Sequence, residues 1–323
     1  MRFFVTGGAG FIGSHFVRML LNLASAEVSK VTVCDKFTYS GNENNLIGAA
    51  EDQRFSLIRG DICDMEMMRT VLSGHDVVVH FAAESHVDRS IQSANPFILT
   101  NVLGTQTLLE ASRQNGISTF VHVSTDEVYG SIDAGSWTED QPLLPNSPYS
   151  ASKASSDLVA RAFHKTYGMD IRITRCSNNF GTHQYPEKMI PLFITNLIDD
   201  KKVPLYGDGL NVRDWLHVED HCQGIFLVAK NGRSGEIYNI GGGTELTNLE
   251  LTEQILNLFN KTRNDIEIVP DRLGHDRRYS VDWAKINREL GYTPKHSIQD
   301  SLPSLVDWYQ NNEWWWRPIK ELS

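Results

Sequence analysis

Residues 3–21 read FFVTGGAGFIGSHFVRMLL. The apolar run Phe3–Val5 reads as a short buried strand, and Phe11, Ile12, Phe16 and Leu20 follow it at helical spacing. Between them Gly7, Gly10 and Gly13 form a GxxGxxG turn. In a strand–turn–helix setting such glycines let the backbone approach a pyrophosphate, whose charge then rests at a helix N-terminus. A plain tight turn accounts for three glycines equally well, so the next strand carries weight. VTVCD (31–35) is a second buried strand ending in Asp35, roughly twenty residues past the last glycine. A carboxylate there accepts hydrogen bonds from a ribose diol and repels a 2′-phosphate, which selects NAD over NADP.

Working outward, strands and helices alternate. RFSLIRGDI (54–62) reads as a third strand ending at Asp61 and Ile62, a plausible edge for an adenine ring. HDVVVHFAAES (75–85) reads as a fourth, with Ala82 and Ala83 at its end, where backbone passes close to a cofactor. His80 lies inside it as a satisfied core histidine; His86 and Asp88 lie just beyond and stay ambiguous. Residues 101–116 read as a helix stopped by Gly116. Further strands lie in FVHVSTDEVYG (120–130) and MDIRITRCSNNFG (169–181). Short connections between alternating elements predict an α/β fold, a doubly wound parallel (Rossmann) sheet. Past residue 182 the alternation weakens. Residues 1–182 are read as the dinucleotide-binding domain, rejoined by segments around 212–240, and 183–323 as mainly a smaller mixed α/β substrate domain. The tail NNEWWWRPIK (311–320) is expected to pack against the body rather than to touch a ligand.

The chemistry concentrates between residues 120 and 153. A β-branched strand ends in a hydroxyl and two adjacent acids, Thr125, Asp126 and Glu127. Within PYSASK (148–153), Tyr149 and Lys153 follow a proline and, four residues apart, share one helical face. An ammonium beside a phenol favours the phenolate, so Tyr149 is expected to have a lowered pKa and to act as a base.

Composition bounds these readings. A chain of 323 residues, 41% hydrophobic and 22% charged, is an ordinary globular protein long enough for a large core. Its net charge of -10 argues against nucleic acid as a partner and leaves room for a local basic pocket. Cys34, Cys63, Cys176 and Cys222 form no CxxC pair, so neither a zinc ribbon nor a disulfide framework is expected, and no metal is expected at the site. Met1 and Arg2 lead straight into a strand without a signal peptide, and no apolar run approaches the ~18 residues of a membrane span, so a cytoplasmic location away from membranes is expected.

GxxGxxG, an acid after the second strand and YxxxK together resemble the extended short-chain dehydrogenase/reductase family, which acts on nucleotide sugars. In its 4-epimerases the positions matching Asp126 and Glu127 are usually small or apolar. With both acids present the chain is similar to the dTDP-glucose 4,6-dehydratases. DKFTYSGN, AAESHVDRSI, STDEVYG, SPYSASKA, RCSNNFG, PEKMIPL, PLYGDG, VRDWLHVEDH and GHDRRY carry that likeness over nearly the whole chain. Thr182-His183 and Met189 depart from the pattern near the nucleotide site.

The resemblance implies a mechanism. Tyr149 would take the proton of the sugar 4-hydroxyl, held by Thr125, as hydride passes from C4 to NAD⁺. Glu127 would then remove the C5 proton, Asp126 would protonate the departing 6-hydroxyl, and hydride would return to C6. It also implies that NAD, which should copurify, is held by Gly7, Gly10, Phe11, Ile12, Gly13, Asp35, Lys36, Thr38, Asp61, Ile62, Phe81, Ala82, Ala83, Ser85, Thr100, Tyr149, Lys153 and Asn178. For dTDP-glucose it implies Ser85, Thr125, Asn179, Lys188, Met189, Pro204, Leu205, Tyr206, Arg213, Asn248, Arg272 and His275. A homodimer is implied through helices 101–116 and 149–167, with Leu158, Val159, Ala162 and Phe163 as apolar surface. The competing readings are a UDP-sugar 4,6-dehydratase, a nucleotide-sugar 4-epimerase, and a non-catalytic dinucleotide sensor.

Overall fold

Short β-branched and aromatic runs give most strands of the structure, a computed structural model that describes residues 1–321. In chain order they are β1 (Arg2–Thr6), β2 (Lys30–Asp35), β3 (Phe55–Arg59), β4 (Val77–His80), β5 (Thr119–Thr125) and β6 (Ile171–Cys176). Then come β7 (Asn178–Phe180), β8 (Val203–Tyr206), β9 (Val212–His217), β10 (Ile237–Ile240), β11 (Glu245–Thr247) and β12 (Ile266–Val269). The helices are α1 (Phe11–Asn22), α2 (Met65–Val71), α3 (Val87–Gln92), α4 (Asn95–Phe97), α5 (Thr105–Gln114) and α6 (Pro148–Tyr167). They continue with α7 (Met189–Ile198), α8 (Val218–Asn231), α9 (Asn248–Leu258), α10 (Ala284–Leu290), α11 (Ile298–Asn311) and α12 (Glu313–Glu321).

Seven parallel strands form the main sheet in the order β10-β6-β5-β4-β1-β2-β3. The order reverses between β1 and β4, and ligands bind outside the carboxyl ends of strands at such a point. Alternate residues along each strand feed two layers. Phe3, Val5, Val31, Val33, Val79 and Val121 face Phe16, Leu20 and Ile225 of α1 and α8. Phe4, Val78, Phe120 and Ile171 face Met68, Leu108 and Ala160 of α2, α5 and α6. A third core, built from α7, α9, α11 and α12, holds Phe193, Ile255, Leu302, Tyr309, Trp315 and Trp316. Beside it lie a three-stranded sheet, β11-β9-β7, and the β12-β8 pair.

Three elements differ from the sequence reading. β4 stops at His80, and Phe81–Ser85 continues as irregular backbone, the form that lets it run past a ligand. The helix expected from residue 101 starts at Asn95 and passes through a wider, π-helical stretch, Ile98–Gly104, before α5. The strand expected over 169–181 ends at Cys176, because Asn178–Phe180 pairs with β9 in the second sheet. α6 starts where Ser147 and Ser150 close a reciprocal cap with Pro148 at the first turn, and it ends at Gly168 with φ +69°.

Under β5 lies a buried ion pair. Arg175 donates to Asp157 at 2.9 Å and to the Tyr129 hydroxyl at 2.8 Å, and His122 Nε2 stands 3.3 Å from Asp157. Burial alone would raise the Asp157 carboxyl, but Arg175 and His122 outweigh it and hold its pKa at about 2. Removing one partner strands the other charge in the core, at about 3–5 kcal/mol. Arg175→Met alone is therefore expected to lower Tm more than Arg175→Met combined with Asp157→Leu. A double variant less stable than the single one in thermal unfolding would overturn this.

Candidate active site

A pocket opens at the carboxyl ends of β1, β2, β4, β5 and β6. Gly7 has φ +68°, and a Cβ there would sit 2.6 Å from the backbone nitrogen of Ala82. A Cβ on Gly13 would meet the Gly7 carbonyl at 2.2 Å. The glycines therefore let the turn, α1 and the β4 exit close on one another. Gly10 caps α1 with no side-chain bond, and the first turn carries no acid. Its free N–H groups and the helix dipole favour an anion. Asp35, at the end of β2, accepts from Ala9 N at 2.9 Å and Phe37 N at 2.8 Å and still lines the pocket. Its pKa is raised by burial against these two bonds. Asn178 Oδ1, Gln184 Oε1 and Asp126 Oδ2 also line the pocket and are buried without a hydrogen-bond partner. Native proteins seldom leave such atoms unsatisfied unless a ligand or water meets them. An anion-ready helix start, an acid at the second strand and unsatisfied polar groups fit a dinucleotide.

The chemical groups converge deeper in the same pocket. β5 ends at Thr125, whose hydroxyl caps the following turn by accepting from Glu127 N at 3.3 Å and points toward Asp126 Oδ1 at the same distance. Asp126 is 2% exposed and Glu127 is half-buried. Burial lifts both pKa values. Asp126 is pushed well above the ordinary carboxylate range, with Glu127 and Asp214 adding repulsion. Glu127 is raised as well, but Lys188, Arg213 and Arg272 offset its burial. The two carboxyls thus occupy unlike fields, the condition for one acid and one base.

Tyr149 and Lys153 share a face of α6 and both line the pocket. The expected lowering of the Tyr149 pKa is not found. Its phenol is raised well above its usual value, first by burial and then by the negative charge of Glu127. Lys153 donates to the Val123 carbonyl at 2.8 Å, and burial lowers its own pKa. Spacing brings the pair to one face, but burial and the charge of Glu127 set the direction at the phenol.

Every residue expected to hold the dinucleotide lines this pocket, as do Thr125, Asp126, Glu127, Ser85, Asn179 and Lys188. Met189, Pro204, Leu205, Tyr206, Arg213, Asn248, Arg272 and His275 do not. Strand alternation explains Leu205, whose side chain faces the core while Pro204 and Tyr206 remain half-exposed. Arg213 is buried, donates to the carbonyls of Val212 and Asp276, and stacks on Tyr279. Arg272 pairs with Asp88 at 2.6 Å and lies over Tyr206, whose ring meets that of His275. Met189 opens α7 and packs on the third core, and Asn248 is buried at the start of α9. His80 is bonded on both ring nitrogens, to Thr6 and Thr105, as a core histidine. The sequence reading missed Asn45, Tyr39, Glu84, Glu187, Trp315 and Ile319. Tyr39, Glu84 and Glu187 sit within quoted blocks and could have been found there. The tail 311–320 was expected to pack against the body rather than touch a ligand, and Trp315 both packs in the third core and lines the pocket.

The fold and strand-end groups are those of the extended short-chain dehydrogenase/reductases, and within them the chain belongs to the GDP-mannose 4,6 dehydratase family, whose model matches residues 4–304. A dTDP-glucose 4,6-dehydratase from Actinoplanes sp. is 56% identical over 319 residues, covering 98% of this chain and 100% of that protein. The crystal structure of DesIV, a dTDP-glucose 4,6-dehydratase from Streptomyces venezuelae with NAD and TYD bound, is 58% identical. It superposes with a TM-score of 0.97, over 99% of this chain and 100% of that one. A dTDP-glucose 4,6-dehydratase from Bacillus anthracis in complex with NAD is 49% identical, with a TM-score of 0.92 and 99% of each chain covered.

A raised carboxyl pKa has a stability signature. Unfolded, Asp126 ionises near its ordinary value of about 4. Folded, it holds its proton to higher pH, so folding takes up a proton and stability falls as pH rises above that ordinary value. Asp126→Asn removes the penalty. The variant is expected to gain Tm over the parent as pH rises above that ordinary value and little at pH 4; a constant difference across the range would refute the assignment.

Proposed function

We propose that this chain is an NAD-dependent hydro-lyase that converts dTDP-glucose to dTDP-4-keto-6-deoxyglucose and water, acting in the cytoplasm. The observation that carries the reading is the unequal environment of Asp126 and Glu127 beside Tyr149. An epimerase needs no such acid–base pair, and a sensor needs neither Tyr149 nor Lys153.

When bound, the dinucleotide would supply the oxidant for C4 in its NAD⁺ form and, once reduced, the reductant for C6. Gly7, Gly10 and Gly13, the start of α1 and Asp35 bind it. Thr125 orients the sugar 4-hydroxyl, and Tyr149 takes its proton. Glu127, whose burial is offset by Lys188, Arg213 and Arg272, removes the proton at C5, acidified by the 4-keto group, and returns it to C5 as hydride reaches C6. Asp126, kept protonated by burial, gives its proton to the leaving 6-hydroxyl. Residues 1–182, with the returning segments around 212–240, hold the dinucleotide, and 183–323 mainly receive the nucleotide sugar. In support, Lys188 lines the pocket, and Arg272 offers a diphosphate a guanidinium that now pairs with Asp88.

We also propose a homodimer through the neighbouring helices of residues 98–114 and 148–167. Leu99, Leu103 and Leu158 on these helices are 55%, 46% and 54% exposed. A self-complementary apolar face of this kind suits a two-fold interface. Leu158→Glu is expected to sediment as a monomer; an unchanged dimer, or a monomeric parent, would exclude this face.

The reaction is tested with Asp126→Asn combined with Glu127→Gln. Oxidation at C4, read as NADH absorbance on mixing with dTDP-glucose, should persist, while loss of water measured by mass spectrometry falls at least a hundredfold, the scale of removing acid–base groups. Undiminished water loss would overturn both roles.

A further inference from the structure

The tryptophans of the C-terminal helix divide their work. Trp316 is fully buried, gives its indole N–H to the Tyr309 carbonyl at 2.7 Å, and does not line the pocket. Trp315, the next residue, is 2% exposed and lines the pocket together with Ile319 of the same helix. Its indole N–H crosses to the other half of the molecule and donates to Asn45 Oδ1 at 2.8 Å. Asn45 is itself buried and donates from Nδ2 to the Ala9 carbonyl at 2.9 Å, within the glycine turn. Ala9 N in turn donates to Asp35. A chain of hydrogen bonds thus runs from α12 through Asn45 to the turn and acid that receive the dinucleotide.

Around this link the helix is pinned on both sides. His183 packs its ring against Trp308 at 4.6 Å and Trp315 at 5.5 Å, and also lines the pocket. Arg317 and Lys320 pair with Asp199 at the end of α7. Swinging α12 outward would break the indole bond inside the protein and bare apolar surface.

We infer that Trp315 and Asn45 belong to the dinucleotide site and act as a latch: α12 is a wall of the pocket that must yield before NAD can leave. The inference rests on the NAD reading above. It also suits the chemistry, since a cofactor restored to its starting state in every cycle has no need to depart between cycles.

The test is exchange of bound NAD for deuterated NAD in the purified full-length protein, followed by mass spectrometry of the extracted nucleotide. Trp315→Phe keeps the ring and removes the N–H. It is expected to exchange about five- to tenfold faster, the worth of one hydrogen bond. Trp316→Phe loses an equally buried indole bond away from the pocket and should exchange within twofold of the parent. Should Trp315→Phe not fold, Asn45→Ala, which leaves the indole and removes its acceptor, is read in the same way. An unchanged exchange rate in the folded variant, or equal acceleration by Trp316→Phe, overturns the latch while leaving the NAD site intact. A parent protein that binds no NAD overturns both.

Discussion

Burying two adjacent carboxyl groups at the end of one strand is costly, because each loses its hydration and each repels the other. Asp126 and Glu127 are held there by elements that have little freedom to move. β5 lies inside the sheet between β4 and β6, and the Thr125 hydroxyl caps the turn that follows it. Around the turn, Lys188, Arg213 and Arg272 bring positive charge to Glu127, whereas Asp126 faces Asp214. The molecule does not relieve the strain equally. Burial raises both pKa values, but positive charge holds Glu127 back while Asp126 is pushed further, and the proposed elimination uses this difference.

The same constraint reaches Tyr149. Burial and the neighbouring charge of Glu127 raise its phenol above the usual value. Tyr149 lines the same pocket as the glycine turn, so the chemistry and the dinucleotide half of the site share one cavity. The glycine turn, the uncapped start of α1 and Asp35 provide that half, and the Trp315–Asn45 bond closes it from the far end of the chain.

Much of this was legible in the residues. β1, α1, β2 and β5 could be read because their apolar spacing is local and because the glycines and Asp35 stand at fixed intervals from it. Tyr149 and Lys153 could be placed together because four residues bring side chains to one face of any helix. By contrast, that Arg213 stacks on Tyr279 and that Leu205 is buried could not be read from their own neighbours in the chain. Both outcomes depend on partners distant in sequence, which no local pattern specifies.

By itself the sequence determined the parallel sheet, the NAD-type acid and the identity of the groups at the strand ends, since each follows from spacing within a few turns of chain. Tertiary structure alone decided that the two carboxyls meet unlike surroundings, that Lys153 leans on the Val123 carbonyl, and that Trp315 reaches Asn45. The reason is physical. Hydrophobic period and turn chemistry act between neighbours, whereas burial and Coulomb fields sum over every segment that the fold brings close.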